Sequence, residues 1–87
     1  MEKYSLKIKK SVAKDLRGIP AQNIARILKA IEGLRDNPRP AGAVKLTGLD
    51  LYRIRVGVYR VVYEIQDVRL IVVIVKAAHR GNIYANY

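Results

Sequence analysis

Tyr52-Arg53-Ile54-Arg55-Val56-Gly57-Val58-Tyr59-Arg60-Val61-Val62-Tyr63-Glu64 is the stretch that decides the fold. Side chains alternate apolar and basic on either side of Gly57-Val58, the pattern of two strands joined by a tight turn. A two-residue loop with Gly first favours the II′ turn, whose twist matches that of the flanking strands. With Gly57-Val58 as the loop, Val56 faces Tyr59, Arg55 faces Arg60, Ile54 faces Val61, Arg53 faces Val62 and Tyr52 faces Tyr63. Because the side-chain period along a strand is two, Tyr52, Ile54, Val56, Tyr59, Val61 and Tyr63 share one face. That is a core face. Arg53, Arg55 and Arg60 share the other. Two like charges opposed across a strand pair cost about 1–3 kcal/mol before their long arms splay and water screens them. A solvated basic face accounts for this arrangement, and so does a cradle for a polyanion, since guanidinium offers a fixed fork of donors suited to phosphate.

Outward from the hairpin, the chain has the size and composition of one domain, residues 1–87. A chain of this length buries a single two-layer core, and a hydrophobic fraction of 51% is ample for it. Without cysteine there is neither a disulfide framework nor a thiolate metal site. One His and scattered carboxylates leave no zinc ligand set, so no metal and no cofactor are expected. Seventeen Lys and Arg against seven Asp and Glu give a formal charge of +10. That excess favours nucleic acid, an anionic membrane surface or an acidic protein partner, without choosing among them. The amino-terminal residues are charged and alternating, with no apolar signal core. The longest apolar run, Leu70 to Val75, is far too short to span a bilayer. A cytoplasmic protein with no membrane partner is expected.

Ahead of the hairpin, Lys3 to Ile8 alternates as a half-buried strand. Ser11 is placed to cap a short helix with Val12 and Leu16 on its inner side. Gly18-Ile19-Pro20 ends that helix, and Pro20 suits the first position of the next. This second helix, about residues 20–36, carries Ile24, Ile27, Leu28, Ile31 and Leu34 as one buried stripe. Asn37-Pro38-Arg39-Pro40 stops it and opens a loop to about Gly48. Beyond the hairpin, Gln66-Asp67 turns the chain into Arg69 to Lys76. The continuous β-branched run there suits a strand inside the sheet, covered on both faces. The expected class is α+β, in the order strand, helix, helix, strand, strand, strand, followed by a tail from Ala77.

No glycine-rich phosphate loop, HExxH, CxxC or GxSxG motif is present, and no carboxylate pair suits glycoside chemistry. The enzymatic chemistry still open is metal-free cleavage of RNA. There the 2′-OH attacks phosphorus, basic groups hold the charge on the phosphoryl oxygens, and an acid protonates the departing 5′-oxygen. Arginine fills the middle role but not the outer two, because guanidinium does not deprotonate in proteins. His79, Tyr84 and Lys45 remain for proton transfer. Taken alone, His79 reads as a surface residue, and Tyr84 and Tyr87 as packing aromatics that are also able to stack on a base.

Lys45-Leu46-Thr47-Gly48, the Leu51 to Tyr63 hairpin, and a tail of His79-Arg80 followed by Ile83-Tyr84 resemble the RelE/ParE superfamily of toxins from toxin–antitoxin systems. The resemblance extends over nearly the whole chain. It implies two N-terminal helices packed on a small, mostly antiparallel sheet. It also implies, for the RelE-like branch, entry into the ribosomal A site and metal-free cleavage of mRNA. Matched position by position, Arg53 and Arg55 fall on the two basic positions of the first hairpin strand, Arg60 on the arginine of the following strand and Arg80 on that of the tail; Arg55, Arg60 and Arg80 are expected to bind phosphate and the transition state, and Arg53 to position RNA. Tyr84 falls on the functional tyrosine. Both basic positions of the first hairpin strand are arginine here, where the RelE type carries lysines, one of them proposed as the general base. His79 falls where some relatives place a proton-transfer histidine and is the base of choice, with Tyr84 the alternative. Lys45 and Tyr87 are expected to contact RNA. The implied partners are a RelB-like antitoxin, in a complex that can be heterotetrameric, and the ribosome with its mRNA. The competing branch is ParE-like, a toxin that binds and poisons DNA gyrase and cuts no RNA.

Overall fold

The computed structural model describes residues 3–81; Tyr84 and Tyr87 lie outside them. The hairpin is as the sequence specifies. Strands β3 (Tyr52–Val56) and β4 (Tyr59–Gln66) pair antiparallel through all five expected partners, from Val56 with Tyr59 to Tyr52 with Tyr63. Gly57 has φ of 62° and no positive φ occurs at Val58, as a II′ turn requires.

Around this hairpin lie β1 (Ser5–Ile8), α1 (Lys10–Leu16), α2 (Ala21–Gly33), β2 (Val44–Lys45) and β5 (Ile71–His79). The five strands form one sheet in the order β1-β5-β4-β3-β2, antiparallel except where β1 runs parallel to β5. Both helices pack on one face. Val12 of α1 and Ile27, Ile31 and the following Leu34 from α2 meet Ile54, Val61, Tyr63, Val72, Ile74 and Ala77 of the sheet. Each of the large aliphatic residues buried there contributes on the order of 1.5–3 kcal/mol relative to exposure.

Several expectations need correction. The first helix begins at Lys10 with Lys9 at its N-cap and no side-chain cap, so Ser11 lies inside its first turn. Pro20 is the N-cap of α2, not its first residue, and the helix ends at Gly33, where the chain tightens into turns that bond Leu34, Arg35 and Asp36 to carbonyls three residues back. Leu28 stays 43% exposed, at the margin of the stripe. Val44 and Lys45, expected in a loop, pair with Arg53 and Tyr52.

The last strand lies inside the sheet as expected, between β1 and β4, but helices cover only one of its faces. Its buried residues alternate accordingly, Val72 and Ile74 within and Ile71 and Val73 half-buried. It also runs on to His79, because β4 still offers pairing partners at Val61, Arg60 and Tyr59. Past the end of β1, the β5 backbone is met by α1, where the Asp15 carboxylate accepts the Ala77 N–H at 3.2 Å. Asp15 thereby supplies the acceptor that a neighbouring strand would have provided.

A polar cluster fastens the opposite end of the sheet. Asp67, in the turn after β4, accepts the Tyr4 hydroxyl at 2.7 Å and both terminal nitrogens of Arg39 at 3.1 and 2.9 Å. Arg39 also lies 5.2 Å over the Tyr52 ring, which stacks on Tyr63 with centroids 6.0 Å apart. The hydrogen bonds from Arg39, then that from Tyr4, hold the Asp67 carboxyl down at about 2. The buried Tyr63 hydroxyl donates to the Pro38 carbonyl at 2.7 Å. Burial, and then the neighbouring Tyr52, push the Tyr63 phenol up to about 12.

Candidate nucleic-acid interface

The sheet face turned away from the helices carries the arginines. Arg55 and Arg60 are direct partners across β3 and β4, and Arg53 stands two residues before Arg55 on the same face. In a two-residue hairpin this second pair from the turn is the non-hydrogen-bonded one, with Cα atoms only about 4.5 Å apart. The three guanidinium groups therefore rise from one small area. No carboxylate lies within ion-pair distance of any of them among the described residues. Arg53 and Arg60 are half-buried along their stems, and the Nε of each is buried without a hydrogen-bond partner. Between them in the strand register lies Val62, fully buried although it is on this face. Arginine stems shield such an apolar floor while their charged ends stay free. Unpaired, closely spaced forks over an apolar floor suit a bound phosphate group.

The remaining candidates fall elsewhere. A bulge at Val62/Tyr63 shifts the β4–β5 register: Val62 faces Lys76, but Tyr63 faces Ile74, leaving Val75 as the extra residue. One extra residue reverses the face of everything beyond it. In unbroken alternation with Val72 and Ile74, His79 would share the arginine side. The bulge instead puts His79 opposite Tyr59, with the rings edge to face and centroids 5.9 Å apart. His79 thus lies on the helix-facing side at the open end of the sheet, and its Nδ1 accepts the Gly81 N–H at 3.3 Å. Arg80 follows in a turn, its N–H bonded to the Val58 carbonyl at 2.8 Å, so this residue is tied to the hairpin tip. Lys45 pairs with Tyr52 and is exposed on the side of that residue, not among the arginines.

Two features went unread in the sequence. One is the bulge, for which a lone extra valine in a β-branched run gives no signal. The other is a groove of about 610 Å³ between the end of α2 and β3, bounded by Leu34, Pro40, Val44 and the Arg53–Arg55 segment. It exists because β2 pairs only with Tyr52 and Arg53. Among the described residues, no three His, Cys, Asp or Glu side chains converge as a metal site. No described helix is long and apolar enough to cross a membrane.

Residues 6–84 match the family model described as the ParE toxin of type II toxin–antitoxin systems, parDE. The chain belongs to the RelE/ParE toxin family. A protein of Methanocaldococcus jannaschii described as "Putative toxin RelE1" is 35% identical, over 97% of this chain and 98% of its own. A chain of the RelE–RelB complex of Pyrococcus horikoshii OT3 superposes with a TM-score of 0.78 at 35% identity, covering 91% of this chain and 97% of that one. The RelBE2 toxin–antitoxin complex of Mycobacterium tuberculosis contains a chain with a TM-score of 0.79 at 26% identity, covering 90% and 99%. Together with the family match, these place the chain as the toxin of a RelBE-type toxin–antitoxin system.

Proposed function

We propose that this toxin is a ribosome-dependent endoribonuclease that cuts mRNA in the A site and so stops translation. The observation that carries the reading is the opposed pair Arg55 and Arg60, with Arg53 beside it, free of carboxylates and with two buried Nε–H groups unpartnered among the described residues. In the reaction, a base takes the 2′-OH proton and the 2′-oxygen bonds to phosphorus. The P–O5′ bond then breaks, the 5′-oxygen is protonated, and a 2′,3′-cyclic phosphate remains. Arg55 and Arg60 hold the negative charge that builds on the phosphoryl oxygens, Arg53 positions the strand, and Arg80 adds a cation beside the hairpin tip. The step needs no metal. The ribosome supplies the strand geometry that the small basic face does not impose by itself.

His79 is the first candidate for the base and Tyr84 the alternative. With Nδ1 engaged by Gly81, the neutral imidazole carries its proton on Nε2. Its basic nitrogen is Nδ1, which accepts the 2′-OH proton only once the Gly81 contact is released, and it must reach the RNA around the open end of the sheet. Lys45 and Tyr87 are assigned to RNA contact on the periphery. The relatives seen in toxin–antitoxin complexes support a RelB-like antitoxin as partner; a heterotetrameric toxin–antitoxin complex is part of the same proposal. The site of action is the cytoplasm.

The matching family description, a ParE toxin, favours a second reading, in which the same fold binds DNA gyrase. Purified toxin tested in parallel on programmed ribosomes, on free mRNA and on gyrase supercoiling separates the two. Cleavage only with ribosomes supports the first reading. Loss of supercoiling without cleavage overturns it in favour of the second.

A further inference from the structure

We infer that Lys76 is the group that protonates the departing 5′-oxygen, a role that rests on the proposed cleavage of RNA. On the face turned away from the helices, Val62 of β4 has Arg53 of β3 on one side and Lys76 of β5 on the other, with Arg60 two residues before it. Arg53 and Lys76 stand two strand spacings apart, about 9.5 Å. Lys76 is the diagonal neighbour of Arg60, about 7–8 Å away. Three cations thus frame the fully buried Val62. The β5 partner of Arg60 is Ala78, whose small side chain fills little of the space beside it.

The bulge that turns His79 to the helix side also brings Lys76 to this one. In unbroken alternation with Val72 and Ile74, residue 76 would face the helices; the extra residue Val75 reverses it. Of the three cations around Val62 only Lys76 has a proton to transfer, because guanidinium does not deprotonate in proteins. Glu64 and Lys7 are the other groups on this face, among the described strand residues, that exchange protons. Both flank Val73, one row farther from Arg60, and Glu64 already accepts a hydrogen bond from the Gln66 side chain.

Asp15 holds the ammonium at the margin of the face. One of its carboxylate oxygens accepts the Ala77 N–H, and the other lies 3.9 Å from Lys76 Nζ. These two side chains are only 16% and 20% exposed, less than those of any other ion pair among the described residues. At 3.9 Å the attraction is electrostatic and no hydrogen bond forms, so the N–H donors of the ammonium stay available. In the step, the P–O5′ bond breaks with its electron pair going to the 5′-oxygen, and a proton passes from Nζ to that oxygen. The neutral amine then regains a proton from water.

The test is the rate of cleavage on programmed ribosomes, at saturating toxin, of an mRNA with the natural linkage and of one with sulfur replacing the 5′-oxygen at the cleaved position. Lys76→Arg keeps the charge, the long arm and the attraction to Asp15 but has no proton to give up. On the oxygen linkage it is expected to cut at least ~100-fold more slowly than wild type, the low end for loss of a general acid. A thiolate needs no proton in order to leave, since thiols ionise near pH 8.5. On the sulfur linkage Lys76→Arg is therefore expected to cut within about threefold of wild type. Equal losses on both linkages would make Lys76 a binding or folding residue and overturn the inference, as would no loss on either. Sulfur rescue of Glu64→Gln but not of Lys76→Arg would give the proton to the carboxyl, with the same result. A wild type that cuts neither linkage would overturn the ribonuclease reading and this role with it. Circular dichroism melts confirm that each variant is folded before assay.

Discussion

Replacing Tyr63 by Phe removes one oxygen atom from the interior and tests two properties of the fold at once. The Tyr63 ring is fully buried, its hydroxyl donates to Pro38 O at 2.7 Å, and Pro38 is itself buried. The bond contributes on the order of 1 kcal/mol net, and an acceptor left buried without a donor costs about 1–3 kcal/mol. Allowing for overlap between these, Tyr63→Phe should lower stability at pH 7 by roughly 1.5–3 kcal/mol. For a chain of this size that is about 8–15 °C in Tm. The same side chain makes the penalty depend on pH. Its folded pKa of about 12 lies above the ordinary 10, so both states are protonated below pH 10. Above pH 10 the unfolded phenol ionises first, and the wild type loses stability as pH rises through 12. A difference of this size corresponds to roughly 2–3 kcal/mol. Urea unfolding of both proteins from pH 7 to 12 should show the wild type ahead at neutral pH and the gap closing between 10 and 12. A penalty below about 0.5 kcal/mol at pH 7, or a constant gap across the alkaline range, would refute the buried bond and the raised pKa.

The Asp67 cluster should respond to acid. The folded carboxyl at about 2 lies below its ordinary 3.8, so its contribution is present above pH 4 and disappears as pH falls through 2. The Tm advantage of wild type over Asp67→Asn should hold from pH 7 to about 4 and shrink towards pH 2; an advantage independent of pH would contradict the ionic bond to Arg39. Asp15→Ala leaves the buried Ala77 N–H without its acceptor and should cost about 1–3 kcal/mol in urea unfolding. It should also speed amide exchange at Ala77, and unchanged exchange there would show that α1 does not protect this edge.

Much of the fold could be read from side-chain alternation around one glycine. The hairpin register followed because a slip by a single residue would bury Arg53, Arg55 and Arg60 and expose Ile54 and Val61. The helical stripe of Ile27, Ile31 and Leu34 was readable for the same reason, with Leu28 lost at its margin. Strand β2 was not, since two residues carry no period. The tail Ala77-Ala78-His79 has little strand propensity of its own and pairs only because β4 continues beside it. The arginine cluster of the site was legible from the hairpin alone. The side of the sheet on which His79 stands was not, because the bulge at Val62/Tyr63 decides it through pairing with a distant strand.

In the proposed reaction the paired arginines act on the phosphate in the transition state. Its most direct test is the rate of cleavage of a defined mRNA on programmed ribosomes, read by primer extension with enzyme in excess, for wild type and Arg60→Ala. Losing one such donor typically costs about 10²–10³-fold in rate, and that loss should persist at saturating toxin, where weaker binding no longer limits the reaction. Cleavage by Arg60→Ala at the wild-type rate under saturation would contradict the account.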